Sequence, residues 1–455
     1  MKLSVIILAA GQGTRMRSAL PKVLHGLGGK PLLAHVIDTA ERLQPDSIHV
    51  VYGHGGEQVR ETLADTRVNW VEQREQLGTG HAVDQVMPLL GDGSLALVLY
   101  GDVPLIAATT LLPMVEQARR QALSVLTAKL DNPFGYGRIV RSSDGSLVDI
   151  VEQKDASDEQ LRIREVNTGF LAAPVALLRN WLARLDNRNA QGEYYLTDII
   201  AMAVDDGVPV ESVRAPVTDE ILGVNDRVQL AHLERVYQRR QAEDLMRSGV
   251  TLADPARFDV RGELLAGNDS FIDVNTVFEG RVVLGTGVRI GPNCVIRDAV
   301  LGDAVEVQAN SVIDSARIGR ACRIGPFARI RPETELGEQV HIGNFVEVKK
   351  SRIADRSKVN HLSYIGDTHM GSGVNIGAGT ITCNYDGANK HLTEIGDDVF
   401  VGSDTQLVAP VKVGDGATIG AGTTVTRDVP PGKLTLGRAA QKTVDGWTRP
   451  VKKLT

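Results

Sequence analysis

Two groups of residues in this chain could do chemistry, and they lie far apart along it. The first begins with the string Leu8-Ala-Ala-Gly-Gln-Gly-Thr-Arg-Met16 and runs on to Pro21-Lys22. Gly11 and Gly13 let the backbone come close to a phosphate chain, so that its N–H groups can bind the oxygens. Arg15 and Lys22 would set positive charge against a pyrophosphate. The loop is not GxGxxG, because Met16 stands where the last glycine belongs, and no Gly-Lys-Ser/Thr follows to make a Walker A loop. Asp102, in Tyr100-Gly-Asp-Val-Pro104, sits just past an apolar run and offers a hard oxygen to a divalent cation. Taken alone, an aspartate there would more often cap a turn. The second group holds Arg331, Glu347, Lys349, His361 and Tyr364, followed by Asn375, Asn384 and Tyr385. His361 lies in Val359-Asn-His-Leu-Ser-Tyr-Ile-Gly366, a stretch otherwise free of charge. A lone histidine is usually structural, but one beside anion-binding cations can serve as a general base.

The elements that must position the two groups follow different grammars. Through residue ~225, apolar runs alternate with stretches of helical period. Leu3–Ala9, Ile48–Tyr52, Ala96–Tyr100 and Leu123–Lys129 read as strands buried on both faces, and Pro31–Leu43 and Gly80–Leu90 as helices. Such alternation predicts an α/β layered domain around a mainly parallel, Rossmann-like sheet. Over 227–247, Val228, Leu230, Leu233, Val236, Tyr237 and Leu245 recur at near-helical spacing among charges, which predicts one long connecting helix. From about Gly262 an aliphatic residue, often followed by glycine, returns every six positions, as in Ile318-Gly319, Ile324-Gly325, Ile330, Leu336-Gly337, Ile342-Gly343 and Val348. This is the hexapeptide repeat of a parallel β-helix: the aliphatic residue points inward and stacks on its counterpart three repeats on, and glycine relieves crowding at the corner. The period stops after Ile376-Gly377 and resumes at Ile395, so Thr380–Lys390 reads as an inserted loop on a binding face. The expected domains are 1–226, a helical linker 227–247, and 248–455.

Composition narrows the function. The chain has 455 residues, 42% of them apolar, with a net charge of -6, which gives no basic footprint for nucleic acid. Cys294, Cys322 and Cys383 form no metal-ligand spacing and read as reduced thiols of a cytoplasmic protein. No apolar run reaches the ~20 residues of a membrane helix. The start, with Lys2 and the run Val5–Ala10, could pass for a signal peptide but reads better as a buried first strand entering the glycine loop.

The N-terminal string, with Gln73, Gln76-Leu-Gly-Thr-Gly80, Tyr100-Gly-Asp-Val-Pro104, Tyr136-Gly-Arg138, Val151-Glu152, Asn167-Thr-Gly169 and Gly223-Val-Asn225, resembles the signature of sugar-phosphate nucleotidyltransferases. With the hexapeptide half in the same order and spacing, nearly the whole chain resembles the bacterial bifunctional N-acetylglucosamine-1-phosphate uridyltransferase/glucosamine-1-phosphate acetyltransferase family. The resemblance implies a left-handed β-helix, a homotrimer, and synthesis of UDP-N-acetylglucosamine for peptidoglycan and lipopolysaccharide. It implies a nucleotide-sugar site at Ala9, Ala10, Gly11, Gly13, Arg15, Lys22, Gln73, Gly78, Thr79, Tyr100, Gly101, Asp102, Gly137, Glu152, Asn167 and Asn225. Gln73 and the backbone near Gly78 and Thr79 would read uracil, and Asp102 and Asn225 would hold Mg2+. At the other site His361 would be the base, with Glu347 orienting it or raising its basicity. Arg331 and Lys349 would hold the sugar phosphate, and Tyr364 and Asn375 the sugar. Asn384 and Tyr385 would reach the sugar and the acetyl-CoA beside it. Ala378, Ser403, Ala421 and Arg438 match the coenzyme side. The substrates implied are glucosamine 1-phosphate, acetyl-CoA, N-acetylglucosamine 1-phosphate and UTP. Two other readings compete: a single-activity nucleotidyltransferase with a passive β-helix, and a non-catalytic nucleotide-sugar sensor. The tail past Trp447, with Lys452 and Lys453, is left unassigned.

Overall fold

The computed structural model describes every residue except Gln12, His54 and 453–455, so Lys453 lies outside the described residues. The chain divides into two compact units, Met1–Gln238 and Arg239–Thr455, with the division inside the helix Arg227–Arg247.

The first unit is built on a nine-stranded sheet. Its central strands Leu3–Ala9, Ser47–Tyr52 and Leu95–Tyr100 pair in parallel, and Glu165–Pro174 runs antiparallel to its neighbours. Successive residues of one strand serve opposite cores. Leu3, Val5 and Ile7 face one cluster while Ile6 and Leu8 face the other. That double burial is why these strands read as unbroken apolar runs. The register sets Leu8 opposite Tyr100, Ala9 opposite Tyr52, and Tyr52 opposite Glu72. Four chain segments therefore leave the sheet along one edge, where open α/β sheets bind ligands.

The expected helix Pro31–Leu43 is present as Leu32–Arg42. Gly80–Leu90 is not one helix: Thr79–Asp84 is α-helical and Met87–Leu89 forms a 3-10 turn. Pro88 lacks an N–H and disfavours the α conformation of the residue before it, so the helix cannot run through. The helix Arg227–Arg247 spans the expected residues, but Val228 is 79% exposed and takes no part in the buried stripe. Leu233 packs with Met16, Leu27 and Leu32 in the first unit. Ala242 and Leu245 join the core of the second.

The second unit is a parallel β-helix. Ile290, Val307, Ile324, Ile342, Val359, Ile376, Val401 and Ile419 pair in succession, coil upon coil. All eight are buried in one continuous core. One of the sequence expectations changes here. The period does not stop at Gly377: Thr382 fills the next inward place, between Ile365 and Leu407. It escapes an aliphatic pattern because its hydroxyl accepts the Gly366 N–H at 2.7 Å. The true excursion starts at Asn384. The repeat glycines ease crowding where the chain enters the corners, as expected. A Cβ on Gly377 would lie 2.5 Å from Ser403 N, so glycine is required where stacked backbones nearly touch. The left-handed corner conformations fall largely on other residues, among them Asn293, Asn310, Phe327 and Phe345.

The stacked core predicts a sharp contrast between neighbours. Ile313 is fully buried and Val312 is 40% exposed. Ile313→Ala should destabilise the unit by roughly 2–5 kcal/mol, and Val312→Ala by less than about 0.5 kcal/mol. Urea titration of the full chain reads the difference, and equal effects would contradict the inward column.

Candidate functional site

In the first unit the strand ends surround a cavity of about 590 Å³ lined by Ala9, Ala10, Gly11, Lys22, Gln73, Gly78, Thr79, Tyr100 and Asp102. Gly101 donates its N–H to Leu8 O at 2.9 Å and so holds the Asp102 turn against the glycine loop. Gly13 has φ +61°, and a Cβ there would lie 2.6 Å from the Lys22 Cβ, so only glycine lets the loop close on that lysine. Lys22 Nζ pairs with Asp102 Oδ2 and lies 3.4 Å from Asn225 Oδ1. Arg15 Nη2 donates to the same Asn225 oxygen at 3.0 Å. Two cations thus rest on the two groups expected to ligate metal. A carboxylate and an amide oxygen converging here suit a hard cation that keeps most of its shell for phosphate and water. The residues present fit Mg2+ in that sense, and among the described residues no cluster of three or more acidic, histidine or cysteine side chains could hold a metal alone.

The residues expected on the sugar side gather around Tyr100. Gly169 has φ +88°, and a Cβ there would lie 2.5 Å from the Tyr100 ring. Asn167 accepts the Gly169 N–H at 3.0 Å and donates its own N–H to Gly137 O at 2.9 Å. Glu152 Oε1 accepts from Thr197 Oγ1 at 3.3 Å. Burial raises the Glu152 carboxyl above its usual range, and Asp155 adds to the effect. Burial likewise raises the Tyr100 phenol, which therefore stays protonated as a donor. Gln76 had no assigned role, yet its amide donates to Ala10 O at 2.6 Å and ties the Gln73–Gly80 segment to the glycine loop. Its place in the motif was the only signal. Glu193 also lines the cavity and came without any.

In the second unit His361 closes the strand Lys358–His361. Its Nδ1 lies 2.9 Å from Asn344 Oδ1, its register partner one coil back. An amide oxygen only accepts, so Nδ1 carries the proton and Nε2 presents a lone pair. Glu347 does not orient the imidazole as expected. Its Oε1 accepts Arg331 Nη1 at 2.7 Å, because the ladder stacks Glu347 against Tyr364 on the next flat side. Asn344 takes the orienting place, and its neutral side chain among repeat residues carried no signal. Counting two residues past Val359, Ile376, Val401 and Ile419 puts His361, Ala378, Ser403 and Ala421 at the same place in successive coils. Arg438 Nη1 donates to Ala421 O at 2.6 Å at the far end. Across the corner, Lys349 is in register with Gly366, and Asn384 Nδ2 lies 3.5 Å from the Tyr364 hydroxyl and bonds Asp367. The loop then brings Lys390 to Lys349, which lowers the Lys390 ammonium pKa first by hydrogen bonding and then by its charge. Lys390 was missed because only the loop's fold places it; Asp386, accepting from Ala388, Asn389 and His391, fixes that fold. Two ammonium groups side by side invite an anion. Tyr385 bonds only within its loop, and among the described residues Asn375 makes no side-chain hydrogen bond to the group.

One acidic group makes the first unit sensitive to pH. Burial, then Asp149, pushes the Asp198 carboxyl from 3.8 up to about 6. A raised carboxyl means the fold binds more protons than the unfolded chain, so stability falls as pH climbs from about 4 to about 6 and is level above. Asp198→Asn should therefore melt progressively above the wild type across that window and keep a constant lead beyond it. Parallel melting curves at every pH would show that Asp198 is not held in this state.

Residues 5–246 match the model of the MobA-like NTP transferase domain, 260–361 the GMPPB C-terminal domain, and 392–427 the bacterial transferase hexapeptide (six repeats). Curated relatives are similar end to end. The bifunctional protein GlmU of Azoarcus sp. is 62% identical over 450 residues, spanning 99% of this chain and 100% of that protein. The GlmU of Marinobacter nauticus is 60% identical over 99% of both chains. That of Alkalilimnicola ehrlichii is 59% identical over 98% of this chain and 96% of its own. A nucleotidyltransferase sheet and a hexapeptide β-helix joined in one chain, aligned throughout with these proteins, make the chain a member of the GlmU family of bifunctional transferases.

Proposed function

We propose that the chain completes UDP-N-acetylglucosamine in two transfers. The β-helix moves an acetyl group from acetyl-CoA to the 2-amino nitrogen of glucosamine 1-phosphate. The sheet domain then joins the product to UMP from UTP and releases pyrophosphate. The observation that carries the first step is His361: its Nδ1 is tied to Asn344, its Nε2 makes no hydrogen bond among the described residues, and it heads a column of small residues. Nε2 takes a proton from the sugar ammonium, and the freed amine attacks the thioester carbonyl; the C–S bond then breaks, and the thiolate leaves as the thiol with the proton that the acylated nitrogen gives up. Arg331, Lys349 and Lys390 would hold the sugar phosphate, Tyr364 and Asn384 the sugar, and Ala378, Ser403 and Ala421 leave room for the pantetheine arm.

In the second step a phosphate oxygen of the sugar attacks the α-phosphorus of UTP, and positioning with charge neutralisation does the work. Arg15 and Lys22 would exchange Asn225 and Asp102 for phosphate oxygens. Asp102 and Asn225 would then hold Mg2+, which when bound neutralises charge on the triphosphate. Gln73, Gly78 and Thr79 would read uracil, and Gly137, Glu152 and Asn167 the acetylated sugar. A homotrimer is supported by Phe327, Phe345 and Leu362, which stand 49%, 55% and 64% exposed at successive corners next to His361. A cytoplasmic setting is supported by the three unpaired thiols, of which burial pushes Cys294 and Cys322 up to about 11. No helix among the described residues is long and apolar enough to cross a membrane.

The two transfers should separate by mutation. Acetyl transfer is followed as free thiol from acetyl-CoA with glucosamine 1-phosphate and no UTP. Uridylyl transfer is followed as pyrophosphate from UTP, N-acetylglucosamine 1-phosphate and magnesium. His361→Ala should lower the first roughly 10²–10⁴-fold and spare the second. Asp102→Ala should do the reverse. Loss of both activities in a folded His361→Ala protein would refute separate sites, and no thiol release from the wild type would leave the β-helix an assembly module.

A further inference from the structure

Gln73 is only 3% exposed and lines the cavity of the first unit. Its amide nitrogen lies 3.1 Å from Gly78 O and 3.1 Å from His81 Nδ1. A backbone carbonyl can only accept, so the Gln73 nitrogen, not its oxygen, must face Gly78. The second N–H of that nitrogen then points at His81 Nδ1, which must offer a lone pair. The ring proton of His81 accordingly sits on Nε2, 3.2 Å from the Gln85 terminal amide. Turning that amide about, at the loss of a 3.3 Å contact to His81 O, gives the proton an oxygen to reach. With both Gln73 donors occupied, its carbonyl oxygen is the one group of the side chain left over. It makes no hydrogen bond among the described residues, and it is not one of their sealed, unpartnered polar atoms.

We infer that His81 is a positioning residue for base selection: by accepting from the Gln73 amide nitrogen it keeps the Gln73 carbonyl oxygen toward the nucleobase, so that the site takes uracil and turns away cytosine. The inference rests on the uridylyl-transfer reading above, with Gln73 as base reader. Uracil carries a hydrogen on N3 and gives it to that oxygen. Cytosine has a lone pair on N3 and meets it with another. Gly78 anchors one N–H of Gln73. The second is buried, and without His81 it loses its acceptor, so Gly78 alone holds the amide and the reversed orientation, which shows cytosine a donor, gains ground. A site built to hydrogen-bond a group discriminates strongly against an analogue lacking it, because its own polar atom is left unpaired.

The test compares kcat/KM for UTP and CTP in the full-length wild type, His81→Phe and His81→Asn, with N-acetylglucosamine 1-phosphate and magnesium. Acetyl transfer by the β-helix serves as the check on the folded chain. His81→Phe should lower the UTP-to-CTP ratio about tenfold or more. His81→Asn, whose side-chain oxygen can accept where Nδ1 does, should recover most of it. A variant in which both nucleotides fall together, at an unchanged ratio, makes His81 merely structural and overturns the inference. If His81→Phe does not fold, Gln85→Met keeps the imidazole but frees its tautomer. The ratio should then drop severalfold, and an unchanged ratio overturns the inference in the same way. A wild type that turns over neither nucleotide refutes the uridylyl-transfer reading itself, and base selection falls with it.

Discussion

Parallel pairing in fixed register is the constraint on which both units depend. In the β-helix, each coil takes its hydrogen bonds from the coil before it, so residues 17 or 18 positions apart are forced into columns. A solenoid coil cannot bury its apolar side alone, and the inward Ile and Val columns make each coil the lid of its predecessor. Function uses the same ladder turned outward. Asn344 meets His361 because Ile342 meets Val359. The bond that orients the His361 imidazole is a by-product of core register, and a slip of one residue would separate the pair.

The sheet unit uses parallel register differently. Strands running the same way discharge their loops on one edge, so Gly11, Gln73 and Asp102 converge though far apart in sequence. Gathering cations there is costly through their mutual repulsion. Lys22 on Asp102 and Arg15 on Asn225 offset that repulsion internally. The groups proposed to hold a metal are thus the partners of the groups proposed to hold phosphate, and on that proposal both sets would be exchanged when a metal–triphosphate complex enters. The thermodynamic reason is desolvation: a half-buried ammonium needs a counter-charge at all times.

Most of this was legible in the sequence wherever a residue answers to one local rule. Doubly buried strands announce themselves as apolar runs, and the hexapeptide period survives any surface variation. What stayed hidden depends on partners remote in sequence. Thr382 breaks the aliphatic pattern because Gly366, sixteen residues back, satisfies its hydroxyl. The resemblance implied that Glu347 serves the histidine, but the ladder gives it to Arg331. Lys390 needed the fold of its loop, and Asn344 looks like any other repeat residue. Nor did the helical period over Gly80–Leu90 reveal that Pro88 divides it, although the proline was in plain view.

The corner beside His361 shows the ladder overriding local preference. Amide groups there bond the coil before, as in Phe345 N to Phe327 O and Leu362 N to Asn344 O, both at 3.1 Å. That demand forces φ near +55° on whichever residue occupies the corner. In earlier coils the place is held by Asn275, Asn293 and Asn310, which tolerate this conformation and bond one another through their side chains. Phe327, Phe345 and Leu362 tolerate it poorly, at a cost of about 1–2 kcal/mol each, and they are also exposed. Neither backbone preference nor burial within this chain accounts for large apolar side chains at those three coils. A surface that covers them would, and the stacked rings of Phe327 and Phe345, 5.3 Å apart, lie directly against the coils that carry Asn344 and His361. His361 and the apolar ridge thus occupy adjacent columns of one corner, so whatever covers the ridge must also come to the edge of the proposed acetyl site.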